Sequence, residues 1–314
     1  MINGNNPLKG CSIFADMFTP AYRLFFYLIV LVAIVSCSKD EGPGVSPSFE
    51  MVADSGYISG PATVSPGQLM RFKIEANEGS EKLTNFFIDV ENSEHLKTRI
   101  FDTAIYCSEF NWEGSFYRSS AQVELWSFRI RDRNGNGNGD VFFINADTNS
   151  AYSPIMLMSG VDMGAQNNIQ IGGFFSLTNQ VVYTIVDAQI NQELIDMVFY
   201  YGEDLSTIAS PGANIESGIY PDNLTPVNWE IRNTTRYIKT SLSESDFDNI
   251  KNDSIMIANY IDAEGKRKAK ILSQGDVYVF KNQQNKLGLF LVNDVSTGND
   301  GNINIDIKIQ DLEK

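Results

Sequence analysis

Apolar and polar positions alternate along most of the chain after residue 48. Met70, Phe72, Ile74 and Ala76 fall on one side of an extended segment, and Arg71, Lys73 and Glu75 fall on the other. Trp126, Phe128 and Ile130 repeat the pattern against Arg129 and Arg131. A period of two with polar outward positions predicts half-buried antiparallel strands. Further strands are expected at 49–53, 57–64, 83–90, 98–101, 115–118 and 141–144. Turn signals separate them: Ser65-Pro66-Gly67, Asn77-Glu78-Gly79 and the Asn/Gly run at 134–139. Short strands at this density, without helical periodicity, predict a β-sandwich over 49–148.

A polar break, ADTNSAYSP at 146–154, precedes a second strand-rich region. Strands are expected there at 181–186, 195–201, 255–260, 277–280, 287–292 and 303–309. Segment 195–201 is a continuous apolar and aromatic run, the pattern of a central strand covered on both faces. Segment 303–309 alternates four isoleucines with Asn304, Asp306 and Lys308. The single helix expected is 244–251, with Ser243 as its N-cap and Asp246 three residues on. The fold class is therefore all-β, with two β-sandwich domains at 49–148 and 152–314, the second larger and carrying loop insertions.

The start of the chain breaks this pattern. Leu24 to Val35 is unbroken apolar sequence behind Arg23, with small Ser36 at its exit, as in a secretory signal. As a helix the run spans about 18 Å, short of the roughly 30 Å of bilayer hydrocarbon. Ile34-Val35-Ser36-Cys37 resembles the bacterial lipobox, and Ser38-Lys39-Asp40-Glu41 resembles the acidic export tag of Bacteroidota surface lipoproteins. The resemblance implies cleavage before Cys37, acylation of that cysteine, and attachment to outer-membrane lipid facing the cell exterior. An uncleaved anchor helix or an ordinary cleaved signal are the alternatives. A signal beginning at Met17 has a conventional length, so residues 1–16 and Cys11 are expected to lie outside the translated protein. Segment 37–48 reads as a Gly/Pro/Ser tether. The stretch VSPGQLMRFKIEANEGSEKLTNFFIDV looks like the extracellular Ig-like modules of surface lipoproteins of this group.

Charge narrows the partners. The chain carries 24 basic and 39 acidic residues, a net charge of −15. Removing residues 1–36 takes away Lys9, Arg23 and Asp16 and makes the balance one unit more negative. That argues against nucleic acid, whose phosphates want a basic surface. Of the three cysteines, only Cys37 and Cys107 follow residue 36, and with Cys37 acylated no internal disulfide can form.

Candidate chemistry is sparse. Asp132, Asn134, Asn136 and Asp140 in DRNGNGNGD echo a calcium loop. The twelfth position is Phe143 instead of a bidentate Glu, and Asn-Gly repeats equally suit a hairpin turn. Calcium is thus the one cofactor considered. His95 is the only histidine and has no G-x-S-x-G elbow to partner, so it reads as a solvated loop residue. No catalytic residue is assigned, although many acidic pairs leave a carboxylate hydrolase open. Trp112 and Tyr117 in FNWEGSFYRSS, and Trp229 in TPVNWEIRN, lie among small polar residues. Exposed rings beside amides and carboxylates are a way of holding sugars, whereas the plainer role for them is core packing. The function expected is a non-catalytic surface binding protein for a glycan or another extracellular partner. A structural adhesin or assembly subunit is the alternative.

Overall fold

Before residue 147 the alternation resolves into β1 (Ser48–Met51), β2 (Ala62–Val64), β3 (Leu69–Asn77), β4 (Leu83–Asn92), β5 (Lys97–Cys107), β6 (Glu109–Tyr117), β7 (Val123–Asp132) and β8 (Gly137–Ala146). These come from a computed structural model that describes residues 44–311. The lipobox, Cys37 and most of the tether lie outside the described residues. The strands form a three-stranded sheet, β1-β3-β6, and a five-stranded sheet, β2-β8-β7-β4-β5. β3 shows why they stack: Met70, Phe72, Ile74 and Ala76 are buried, while Leu69, Arg71, Glu75 and Asn77 are exposed. Phe72 meets Trp126 and Phe128 of the facing sheet with ring centroids 5.0 Å apart in each case. The chain is all-β and builds β-sandwiches, as the alternation predicts.

The second region contains β9 (Ile155–Gly164), β10 (Phe174–Ser176), β11 (Val181–Tyr183), β12 (Met197–Gly202), β13 (Leu205–Ala209), β14 (Arg236–Lys239), β15 (Lys268–Lys270), β16 (Val277–Lys281), β17 (Leu287–Val295) and β18 (Asn302–Gln310). They form two five-stranded sheets, β11-β10-β12-β13-β15 and β14-β16-β17-β18-β9. Met197 and Phe199 of β12 face the shared core with Phe280, Phe290 and Ile303 to Ile309 of the opposite sheet. Val198 and Tyr200, of the other parity, pack outward under Tyr220 and Trp229. On the far side Phe247, Ile250 and Met256 cover Val279, Leu289 and Leu291. Both outer faces of this sandwich are therefore sheathed by loops and short helices, which explains the unbroken apolar run at 195–201.

Several expected elements differ. Of segment 57–64 only Ala62–Val64 is strand, because Ser59-Gly60-Pro61 interrupts it. Segment 98–101 is the beginning of a much longer strand, β5, and segment 115–118 covers the end of another, β6, which stops at Tyr117. Segment 181–186 stops as strand at Tyr183, where the Thr184 hydroxyl accepts from Asp187 N (3.3 Å) and caps a helix, Ile185–Ile190. Segment 255–260 is helix Ser254–Asn259 instead of strand, opened by a bond from Ser254 N to Asn252 Oδ1 (3.1 Å). The expected helix forms at Glu244–Asn249 with the Ser243/Asp246 capping box.

The polar break is a bonded crossing. Ala151 N donates to Pro66 O (2.7 Å), and Ser153 N donates to the buried Asp253 Oδ1 (2.8 Å). From Val45 onward the described residues hold together as one compact unit.

Candidate binding cleft

The two sheets of the first sandwich are joined at a corner where β5 turns through Ser108 into β6. Each of these strands ends its own sheet, so the sandwich is open along this seam. The segment following helix Ser254–Asn259 lies against the opening, together with the turn between β16 and β17. The result is a cleft in two adjoining lobes of about 310 and 300 Å³. Ser115, Phe116, Asp262, Lys281 and Asn285 border both.

The first lobe mixes apolar walls from Ile100, Phe116, Tyr117 and Ile257 with the polar groups of Asn92, Thr98 and Ser119. A largely apolar cavity with a few polar groups is the general form of a small-ligand site. The second lobe is more polar and meets Trp112, Tyr57, Arg71 and Glu113. There the Tyr57 hydroxyl donates to Glu113 Oε2 (2.9 Å) and accepts from Arg71 Nη2 (3.2 Å), a contact that raises the Tyr57 pKa chiefly through Glu113. Lys281 pairs with Asp262 and sits over the Tyr260 ring, 5.2 Å from its centroid.

Trp112 and Tyr117, two of the three aromatic residues expected to bind ligand, thus border the same cleft. Both stand on β6. Trp112 is half-buried, with centroids 5.1 Å from Phe86 and 5.2 Å from Phe101. Its indole lies over Gly114, where an added Cβ would stand 2.1 Å from Trp112 Cζ2, so glycine at 114 is what lets the ring lie along β6. Tyr117 presents its ring to the cleft while its hydroxyl donates to Gln310 Oε1 (3.1 Å). Burial raises its pKa. Gln310 Nε2 in turn donates to Asp253 Oδ2 (2.7 Å), so this tyrosine ties the first sandwich to the second.

Trp229 is elsewhere. It is 5% exposed and packs on Phe174 with centroids 5.6 Å apart, its Nε1 donating to Leu224 O (3.0 Å). It fills a core, and a buried ring cannot serve as a sugar platform.

Three carboxylates border the cleft: Glu113, which accepts from the Tyr57 hydroxyl, Glu124 and Asp262. Glu124, 3% exposed, is paired with the fully buried Arg118 (2.7 Å) and accepts from Trp126 Nε1 (2.9 Å) and Ser119 Oγ. Asp262 is held by Lys281. His95 is exposed and lies 2.9 Å from Glu91, and Cys107 is half-buried with its thiol pKa pushed up by burial.

The loop with calcium-like spacing is the β7–β8 hairpin. Asp132, 3% exposed, accepts from Asn134 N (2.9 Å), Asn136 N (2.8 Å) and Asn136 Nδ2 (2.9 Å). The structure brings Asp132, Asn134 and Asn136 together as a turn. Asp140 stands opposite Phe128, four residues along the strand pair from Asp132 and about 13 Å away at strand rise. Among the described residues no group of three or more His, Cys, Asp or Glu side chains is gathered as a metal site.

Tyr260, Asp262, Lys281 and Asn285 were not expected as cleft residues. They sit more than 140 positions from Trp112 and Tyr117 in sequence, and only the packing of the second region against the first brings them together. No family model matches this chain, and no curated protein matches it.

Proposed function

We propose that this chain is a lipid-anchored cell-surface binding protein, acylated at Cys37 in the outer membrane, that takes an extracellular glycan in the cleft along β5 and β6. The observation that carries this reading is a cleft of two adjoining lobes, each wide enough for a sugar ring, one bordered by Tyr117 and Asn92 and the other by Trp112, with Ser115 and Asn285 bordering both. The engagement of Glu124 and Asp262 with cations, and of Glu113 with the Tyr57 hydroxyl, favours binding over hydrolysis, because a glycosidase needs one carboxyl free to donate a proton. The strand order of the first sandwich, with β1-β3-β6 facing five strands and β2 parallel to β8, supports its reading as an Ig-like module.

The anchor and the site separate experimentally. Radiolabelled palmitate should label the protein in its host and fail to label Cys37→Ala, and protease added to intact cells should remove it. Labelling that persists in Cys37→Ala would reject acylation at this residue. The soluble part from residue 38 onward should be retarded in affinity gels of one or more neutral polysaccharides.

A second reading, assembly by strand addition, is favoured by β9. This ten-residue strand ends its sheet, and Leu157 on it is 54% exposed. Light scattering that shows concentration-dependent oligomers would support it, and a monomer at all concentrations would exclude it.

A further inference from the structure

The outer face of the sheet β2-β8-β7-β4-β5 carries an unusual concentration of positive charge for so acidic a chain. The outward register of β4, β5 and β7 places three guanidinium groups on one ring. Arg99, Arg129 and Arg131 have their Cζ atoms 4.1, 4.9 and 5.3 Å from the centroid of Phe87. The ring is only 4% exposed because the arginines cover it. Beneath them the buried carboxylate of Asp89 accepts from Arg99 Nε (2.9 Å) and from Arg129, and lies 3.4 Å from Lys97 Nζ. Asp102 adds a second carboxylate, 3.0 Å from Arg99 Nη1. Two anions therefore serve four cations, and Arg131, exposed at the edge of the cluster, has no ion-pair partner among the described residues.

Beside this wall runs a trough. Gly139 stands opposite Arg129 and Gly137 opposite Arg131 on β8, so the positions next to both guanidiniums bear no side chain. The space is a cavity of about 300 Å³. Farther along, the same outward register of β8 presents Val141 and Phe143, 58% and 54% exposed. From Gly137 to Phe143 the trough and shelf extend about 20 Å at strand rise. The carboxylates of the hairpin do not oppose the arginines: Asp132 is buried in its turn, and Asp140 shares the parity of the buried Phe142 and Ile144.

We propose that this face binds an acidic polysaccharide. Carboxylate or sulfate groups lie against Arg129 and Arg131 in the glycine-floored trough, and the apolar face of a neighbouring sugar ring lies on Val141 and Phe143. The uncompensated charge is relieved when an anion arrives, and the Phe87 ring and Asp89 hold the guanidiniums in place beforehand, so little side-chain freedom is lost on binding. A saccharide fits better than a peptide because the bed is flat and the ligand gains from ring stacking combined with a charge on the same ring. The site is distinct from the cleft and uses none of its residues.

Affinity gel electrophoresis of the soluble part from residue 38 onward tests this with polygalacturonate, dextran sulfate, uncharged dextran and polyglutamate. Retardation is expected in polygalacturonate or dextran sulfate, the two separating a carboxylate from a sulfate ligand, and it should weaken steeply with added salt. Arg131→Glu, at an exposed residue, should abolish it, and Phe143→Ser should weaken it several-fold, with circular dichroism unchanged in both. No retardation in either acidic polysaccharide at low salt would overturn the proposal. So would retardation that survives Arg131→Glu, or polyglutamate retarding the protein as strongly as the polysaccharides. Because the cleft residues are intact in these variants, loss here leaves any neutral-glycan binding in place.

Discussion

Asp196 shows how far a single residue can sit from the average behaviour of its type. It lies at the entry to β12, 2% exposed, and its carboxylate accepts one bond, from Leu177 N (2.9 Å). Burial raises its pKa from 3.8 to about 6, against a small opposing effect of that bond. The sign of the consequence follows from proton linkage. The folded chain holds this proton more tightly than the unfolded chain, so folding is favoured at low pH and stability is lost as pH rises from about 4 to about 6. The full change corresponds to about 3 kcal/mol. Asp196→Asn keeps an acceptor for Leu177 N and removes the ionisation. Urea denaturation at a series of pH values should show the variant more stable than the parent above pH 6, with the gap closing toward pH 4. A gap independent of pH would contradict this assignment. Lys308 is the opposite case. The alternation of 303–309 places it outward with Asn304 and Asp306, yet it is 6% exposed. Helix Glu244–Asn249 lies over it, and its Nζ donates to Phe247 O (2.7 Å), Asp248 O (3.0 Å) and Ile250 O (3.2 Å), closing the end of that helix. An outward position on a strand is solvated only if nothing covers that face, and a period of two cannot say what covers it.

At the scale of elements, the strands were legible wherever one face is buried and the other wet. β3, β7 and β18 fall where the alternation puts them. Short elements were not. Helix Ser254–Asn259 and helix Ile185–Ile190 are six residues each, too short for helical periodicity to separate from a buried strand, and only the second opens with a side-chain N-cap, Thr184. Trp112 stands in the middle of β6, an edge strand whose polar residues Asn111, Glu113 and Ser115 flank it. The hairpin between β7 and β8 carries a prediction of its own. Asp132→Ala removes three accepted bonds from the turn and should cost about 1–3 kcal/mol, read by chemical denaturation. If the turn itself is the reason for this spacing, added calcium will leave the thermal midpoint of the parent unchanged. A rise with calcium that Asp132→Ala abolishes would instead establish the ion.

For the whole molecule, the candidate site depends on contacts between segments far apart in sequence. The tyrosine that borders the cleft also joins the sandwiches through Gln310 and Asp253, so the walls of the cleft are positioned by the junction itself. Trp112 and Tyr117 could be read as candidates from their neighbours. Tyr260, Asp262, Lys281 and Asn285 could not, because nothing local distinguishes them from other polar surface residues. The most direct measurement blocks the cleft without touching its core. Ala258 is exposed on the helix that borders the first lobe, so Ala258→Trp fills the entrance with little demand on the fold. The parent protein should be retarded in affinity gels of at least one neutral polysaccharide, and Ala258→Trp should migrate as in a blank gel with its circular dichroism and thermal midpoint unchanged. Equal retardation of parent and Ala258→Trp, or no retardation of the parent in any neutral polysaccharide, would contradict the assignment of the cleft as the glycan site.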